Sequence, residues 1–171
     1  MAAGPADERT LVRDAQQGDA SALEALFRLH WPRAYRAAWL VVHDAAAAED
    51  IAQESFLAAV RALDRFDRRR PFGPWLHRIV VNRAIDHARA RTLRREQELG
   101  EQHPAAPAAA NGLDRELLAA IRDLPPEQRA VLVLRHLLGY TPGEIARLLE
   151  LPRGTVNSRL RRGLDSLGER L

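Results

Sequence analysis

Asn157, Ser158, Arg161 and Arg162 sit close together in "LPRGTVNSRLRRGL", residues 151–164. Their side chains are hydrogen-bond donors and acceptors at the N-terminal half of a helix. The chemistry they suit is recognition. Arginine bonds guanine bidentately, asparagine bonds adenine, and Ser or Thr reaches phosphate. At about 100° per residue, Val156, Leu160, Gly163, Leu164 and Leu167 gather on the opposite side of a helix, so the polar set has an apolar face to hold it in place.

Bond-making chemistry finds little support. The six histidines (30, 43, 77, 87, 103 and 136) form no H-x-x-x-H pair, and no carboxylate–histidine cluster has ligand spacing. Cysteine is absent, which excludes disulfides and thiolate-bound zinc. Ser21 and Ser55 have no evident activating base. No catalytic residue, metal or cofactor is expected.

The charge is distributed unevenly. All 26 basic residues are arginine and the net charge is +3. Residues 1–60 carry −4, residues 61–95 carry +8, residues 96–120 carry −4 and residues 121–171 carry +3. Two basic blocks separated by an acidic one suit two contacts with a polyanion. In the first block, "RFDRRRPFGPWLHRIVVNRAIDHARARTLRR" sets Phe66, Phe72 and Trp75 among arginines. That pattern suits single-stranded nucleic acid, where aromatics meet bases and arginines track phosphates. Core packing is the better reading for Trp75, Ile79 and Ile85. Arg68, Arg69, Arg70, Asn82 and Asp86 belong on a loop and one helix face.

The elements that must carry these residues are helical. A chain of 171 residues at 46% hydrophobic can form two small domains. Strand patterns are few, and the fold class expected is all-α. A helix starts near Asp19, with Pro32 placed to kink or split it. Another runs from about Ala46 to Phe66, and in it Ala52, Phe56, Ala59 and Leu63 face inward. Asp50, Gln53, Glu54 and Leu57 share the opposite, exposed face. A long helix follows "DRRRPFG", with Pro74 in its first turn. The Ala/Pro-rich acidic stretch 96–112 reads as a flexible linker.

Three further helices, Leu113–Leu124, Pro126–Leu138 and Pro142–Glu150, precede the opening stretch. Thr141 and Glu144 make a capping box with Pro142 at the first helical position. Together these give a C-terminal helix-turn-helix. No apolar run is long enough to span a bilayer, and Met1–Arg9 has no signal-peptide core. A cytoplasmic protein without membrane insertion is expected.

With both halves read, the chain resembles the extracytoplasmic-function (group 4) sigma factors of the bacterial sigma-70 family. The stretches that carry the resemblance, in order, are "GDASALEALFRLHWPRAY", "AEDIAQESFLAAVRALDRF", "FGPWLHRIVVNRAIDHARAR" and "LPPEQRAVLVLRHLLGYTPGEIARLLELPRGTVNSRLRRGL". The resemblance implies a flexible tail over 1–9, a sigma-2 domain over 10–95, the linker, and a sigma-4 domain over 113–171. It implies docking of Asp50, Gln53, Glu54 and Leu57 on the clamp helices of the largest subunit of core RNA polymerase, and of sigma-4 on the polymerase flap.

The same resemblance places Phe66, Arg68, Arg69, Arg70, Asn82, Arg83 and Asp86 on the melted −10 element of promoter DNA. It places Arg135, Arg153, Thr155, Asn157, Ser158, Arg161 and Arg162 on the −35 duplex. It also implies control by an anti-sigma factor. Three positions depart from the family's habit. Glu150 stands where Gly is frequent, Asn157 where a basic residue is usual, and Gly73-Pro74 where Arg-Thr is commoner. Two other readings differ in their expectations. A stand-alone helix-turn-helix regulator binds duplex tightly without polymerase, and a recombinase cuts it. The aromatic-basic block favours the sigma reading.

Overall fold

The computed structural model describes residues 5–97 and 115–170. The described residues are helical, with no strand among them. Helix α1 spans Pro5–Gln16 and α2 spans Ala20–Val42. Helix α3 spans Ala45–Ala62 and ends in a short 3-10 turn, Leu63–Arg65. Helix α4 spans Phe72–Gln97. After the linker come α5 (Arg115–Arg122), α6 (Pro126–Leu132), α7 (Pro142–Leu149) and α8 (Arg153–Gly168). The tail expected over 1–9 is helical from Pro5. Glu8 is tied down by a 2.6 Å contact of its Oε1 with Nε2 of the buried His30. Residues 98–112 of the expected linker, and the expected start of sigma-4 at 113, lie outside the described residues.

Local chemistry explains the helix starts. The Asp19 carboxylate accepts from the backbone N–H groups of Ser21 and Ala22 at 2.8 and 3.2 Å, and Asp44 accepts from Ala47 at 3.0 Å. Each satisfies donors that a helix N-terminus leaves open. Pro32 does not split α2, which runs unbroken through it. Pro32 and Arg28, whose carbonyl would have accepted the missing bond, are both exposed, so water can replace it.

In the N-terminal unit α2 packs against α1, α3 and α4. Ala34, Ala37 and Ala38 are fully buried on it, beside Trp39 and Val41. In the C-terminal unit α6 packs against α8, and α7 against α8, around Val131, Leu134, Ile145 and Val156. Helix α6 passes into a π-turn, Val133–Leu137, and ends at Gly139 with φ +79°. The helix expected over Pro126–Leu138 is therefore two pieces of different winding.

The helix-turn-helix forms as its sequence dictates. Thr141 Oγ1 accepts from the Glu144 N–H at 3.3 Å, and the Glu144 carboxylate accepts from the Thr141 N–H at 2.7 Å. Thr141→Ala is expected to lower stability by about 1 kcal/mol, readable as a lower urea midpoint with an unchanged m-value. At the far end of α7, Glu150 sits left-handed at φ +55°, and the Leu151 N–H bonds the Ala146 carbonyl at 2.9 Å. This Schellman-type turn favours glycine. A non-Gly residue there costs about 1–2 kcal/mol.

Candidate nucleic-acid interface

Helix α8 is held down by Val156, fully buried, together with Leu160 and Gly163. Gly163 matters because a Cβ there would come within 2.9 Å of Leu132 Cδ1, so α8 and α6 approach closely at this point. The opposite side exposes Arg153, Asn157, Arg161 and Arg162, with Thr155 and Ser158 half-buried beside them. Arg161 and Arg162 make no ion pair among the described residues. Their donors are therefore available to an external acceptor. Arg135 is also exposed, and its Nη1 donates to the Tyr140 carbonyl at 3.3 Å. Leu164 is a correction. Expected on the inward face, it is 48% exposed, because α8 leans on α6 through Gly163 and leaves the next residue outside.

The −10 set divides. Arg68, Arg69, Arg70, Arg83 and Asp86 are exposed, and Asn82 is half-buried on α4. Phe66 is the second correction. It is buried, its ring 4.5 Å from Trp75 and 5.8 Å from Phe72 by centroids. Those contacts anchor the loop from beneath, so Phe66 is a core residue and not a base-stacking one. The Gln16 amide reaches across from α1 to donate to the carbonyls of Leu63 and Phe66 at 2.9 and 3.0 Å. The arginine loop thus starts from a fixed stem.

Within the loop, Asp67 Oδ1 accepts from the Arg69 N–H, and the Asp67 carboxylate takes the Arg69 guanidinium through both oxygens at 3.0 and 3.1 Å. That side-chain bond, then the backbone one, holds the Asp67 carboxyl below its usual range. A phosphate approaching Arg69 competes with Asp67, while Arg68 and Arg70 form no such pair among the described residues.

Asp50, Gln53, Glu54 and Leu57 share the exposed face of α3, as expected, with Leu57 53% exposed. Ala52, Phe56, Ala59 and Leu63 are buried on the other side. Two apolar residues next to this face, Val60 and Phe27, are also exposed and were not anticipated. Glu54 Oε2 receives Arg83 Nη1 at 3.1 Å. This pair joins the acidic face of α3 to the basic face of α4.

The two units touch, which no local sequence pattern announces. Helix α6 contacts α4 and α2, and α7 contacts α4. His77 Nδ1 lies 2.7 Å from the Tyr140 hydroxyl, and Arg78 Nη2 lies 2.6 Å from Glu150 Oε1. Arg89 also pairs with Glu127. Burial pushes the His77 ring down to about 4, with His30 and Arg33 adding repulsion and Glu8 opposing it. Burial likewise raises the Tyr140 hydroxyl, so both partners are neutral.

Because the folded pKa of His77 lies below its ordinary 6.5, the unfolded chain binds the proton first. Stability is complete above that value and is lost as pH falls from 6.5 toward 4, by about 2 kcal/mol at pH 5. His77→Gln should reduce the dependence of the urea midpoint on pH between 7 and 5 by about half, because His43, held at about 3, contributes over the same range. An unchanged slope contradicts this assignment.

Among the described residues no cluster of His and carboxylates could hold a metal ion, and no helix is long and apolar enough to cross a membrane. Residues 26–94 match the family model for sigma-70 region 2, and residues 114–167 match that for sigma-70 region 4. The chain is 35% identical over 181 residues to the ECF RNA polymerase sigma factor SigE of Mycolicibacterium smegmatis, covering 98% of this chain and 70% of that one. It is 30% identical to the RNA polymerase sigma-H factor of Pseudomonas aeruginosa, covering 96% and 93%. Among solved structures it is similar to CnrH in complex with the cytosolic domain of CnrY, with a TM-score of 0.71 at 28% identity over 95% and 96% of the two chains.

Proposed function

Because the chain belongs to the extracytoplasmic-function group of the sigma-70 family of RNA polymerase sigma factors, we propose that it confers promoter specificity through the three surfaces described above. The α3 face of Asp50, Gln53, Glu54 and Leu57 docks on core RNA polymerase. Arg68 and Arg70, with Arg69 once it leaves Asp67, track the phosphates of a melted −10 strand, and Asn82, Arg83 and Asp86 on α4 line its path. An unpaired base taken out of the stack costs a few kcal/mol, which protein contacts must offset. Helix α8 enters the major groove at −35 with Asn157, Arg161 and Arg162. Thr155, Ser158, Arg153 and Arg135 lie where phosphates flank the groove. The protein acts in the bacterial cytoplasm, where the polymerase is.

The observation that most supports this reading is the order of parts. An acidic, leucine-bearing helix, an arginine loop and a helix-turn-helix occur in one chain, in the order of sigma-70 regions 2 and 4. The contact between the units adds a requirement. Elements at −10 and −35 lie about 25 base pairs apart, roughly 85 Å of duplex at about 3.4 Å per step. Helices α4 and α6 must therefore part before both elements are read. CnrH was solved in complex with the cytosolic domain of CnrY. That supports control of this chain by a partner protein that favours one arrangement of the two units, and the family resemblance makes an anti-sigma factor the expected partner.

Titration of labelled core polymerase tests the docking surface. Asp50→Ala combined with Glu54→Ala should weaken binding about tenfold, while urea stability changes little because both residues are exposed. No association of the parent chain with core polymerase, or full affinity in the double variant, contradicts the assignment.

A further inference from the structure

The contact between the two units leaves a cleft of about 480 Å³ that none of the promoter or polymerase surfaces uses. Its walls come from the C-terminal ends of α2 and α4 on one side, and from the α5–α6 junction on the other. Four guanidinium groups line it, those of Arg91, Arg95, Arg122 and Arg129, against a single carboxylate, Asp123. That carboxylate is already paired with Arg170 at 2.7 Å. Arg91 reaches Asp44 at 3.3 Å. Arg122 forms no ion pair among the described residues.

Arg129 is the distinctive member. It is only 7% exposed, and its Nη1 donates to the Arg122 carbonyl at 2.9 Å. Its Nε–H is buried with no partner among the described residues, and so is Nε2 of His43, which also lines the cleft. A buried, unpartnered donor on a charged group is costly. Burial pulls the Arg129 guanidinium down to about 10, with Glu127 and Asp123 opposing the shift and Arg91 and Arg95 adding to it. Burial and then Arg129, Arg122 and Arg91 push His43 down to about 3. The arginines thus make the His43 end of the cleft positive.

The remaining wall is apolar. Val42, Leu124, Pro125 and Pro126 form it. The volume is too large for one phosphate and falls within the range that accommodates a small organic ligand.

We propose that this interdomain cleft binds a small organic polyanion with linked phosphate groups, of the nucleoside polyphosphate class. The phosphates engage Arg91, Arg122 and Arg129, and the organic part lies against the Pro125–Pro126 wall. Residues of both units form the site, so the ligand binds only while they are in contact and opposes their separation.

Calorimetric titration of the full chain in metal-free buffer at about 0.15 M salt tests this without polymerase, so its outcome is independent of the promoter reading. The probes are adenosine triphosphate, guanosine triphosphate and inorganic tripolyphosphate. Saturable one-to-one binding is expected, tighter for a nucleotide than for tripolyphosphate. Arg91→Gln combined with Arg122→Gln should weaken it about tenfold or more. Neither residue is in the core, so that variant is expected to fold where Arg129→Gln risks not folding. Arg161→Gln combined with Arg162→Gln removes the same charge elsewhere and should change the affinity little.

Absence of saturable binding overturns the proposal, and so does an equal loss in both double variants. Tripolyphosphate binding as tightly as either nucleotide overturns the organic half of it. A further outcome concerns the acids of the linker sequence. If Glu98→Gln combined with Glu101→Gln tightened probe binding about tenfold, the chain's own carboxylates would be the occupants and the proposal would fail.

Discussion

Arg162→Ala is expected to weaken recognition of the −35 duplex by about 1–3 kcal/mol and to relax its sequence preference at one base pair. Arg161→Ala is expected to act similarly. Both side chains are exposed on α8 and make no ion pair among the described residues. Removing either leaves the anchors Val156 and Leu160 untouched, so the loss reports on DNA and not on folding. The pattern of the loss separates two roles. A guanidinium bonded to a base edge costs affinity mainly on the preferred sequence. One bonded to phosphate costs the same on every sequence and lowers the salt slope by about 1. Binding of polymerase holoenzyme to a set of −35 variants at several salt concentrations checks both. If neither substitution changes affinity or preference, α8 is not the reading helix.

Ile145→Ala should lower stability by about 2–5 kcal/mol. Ile145 is fully buried at the centre of the helix-turn-helix, in one cluster with Leu134 and Val156. Truncation removes apolar contact and leaves a cavity that close-packed neighbours fill only in part. The C-terminal unit is small, so this loss is a large share of its stability. The expected phenotype is selective, with reading at −35 lost and docking through α3 retained. Leu164→Ala is the matched control. At 48% exposure it should change stability by no more than about 0.5 kcal/mol. Urea unfolding of the two variants beside the parent decides the matter. Equal effects would contradict the placement of α8.

The parts of the fold that follow from neighbouring residues were legible in the chain. Asp19, Thr141, Pro142 and Glu144 act within one helical turn, and each does what its type and spacing imply. The faces of α3 were legible for the same reason, since a 3.6-residue period separates Phe56 from Glu54 without further information. Periodicity failed at Leu164, because it gives the arc of a helix and not the point of closest approach. That point is set by Gly163 against Leu132. Composition failed at Phe66. An aromatic among arginines suits both a base and a core, and its neighbours Phe72 and Trp75 decide for the core.

The contacts of His77 with Tyr140 and of Arg78 with Glu150 join residues 63 and 72 positions apart. No local rule pairs them. The same holds for the cleft, where Arg91 and Arg129 meet only because α4 and α6 do. The basic character of residues 61–95 was visible from counting. What counting could not do was divide those arginines among a loop, an ion pair with α3 and an interdomain wall.

In-vitro transcription with core RNA polymerase, on a pool of genomic promoter fragments, tests the central claim most directly. Adding this protein should create new start sites. Their upstream sequences should share one element near −10 and another near −35, and the −35 preference should shift in Arg162→Ala. If core polymerase with the protein initiates at the same sites as core polymerase alone, the protein does not confer promoter specificity and the account is wrong.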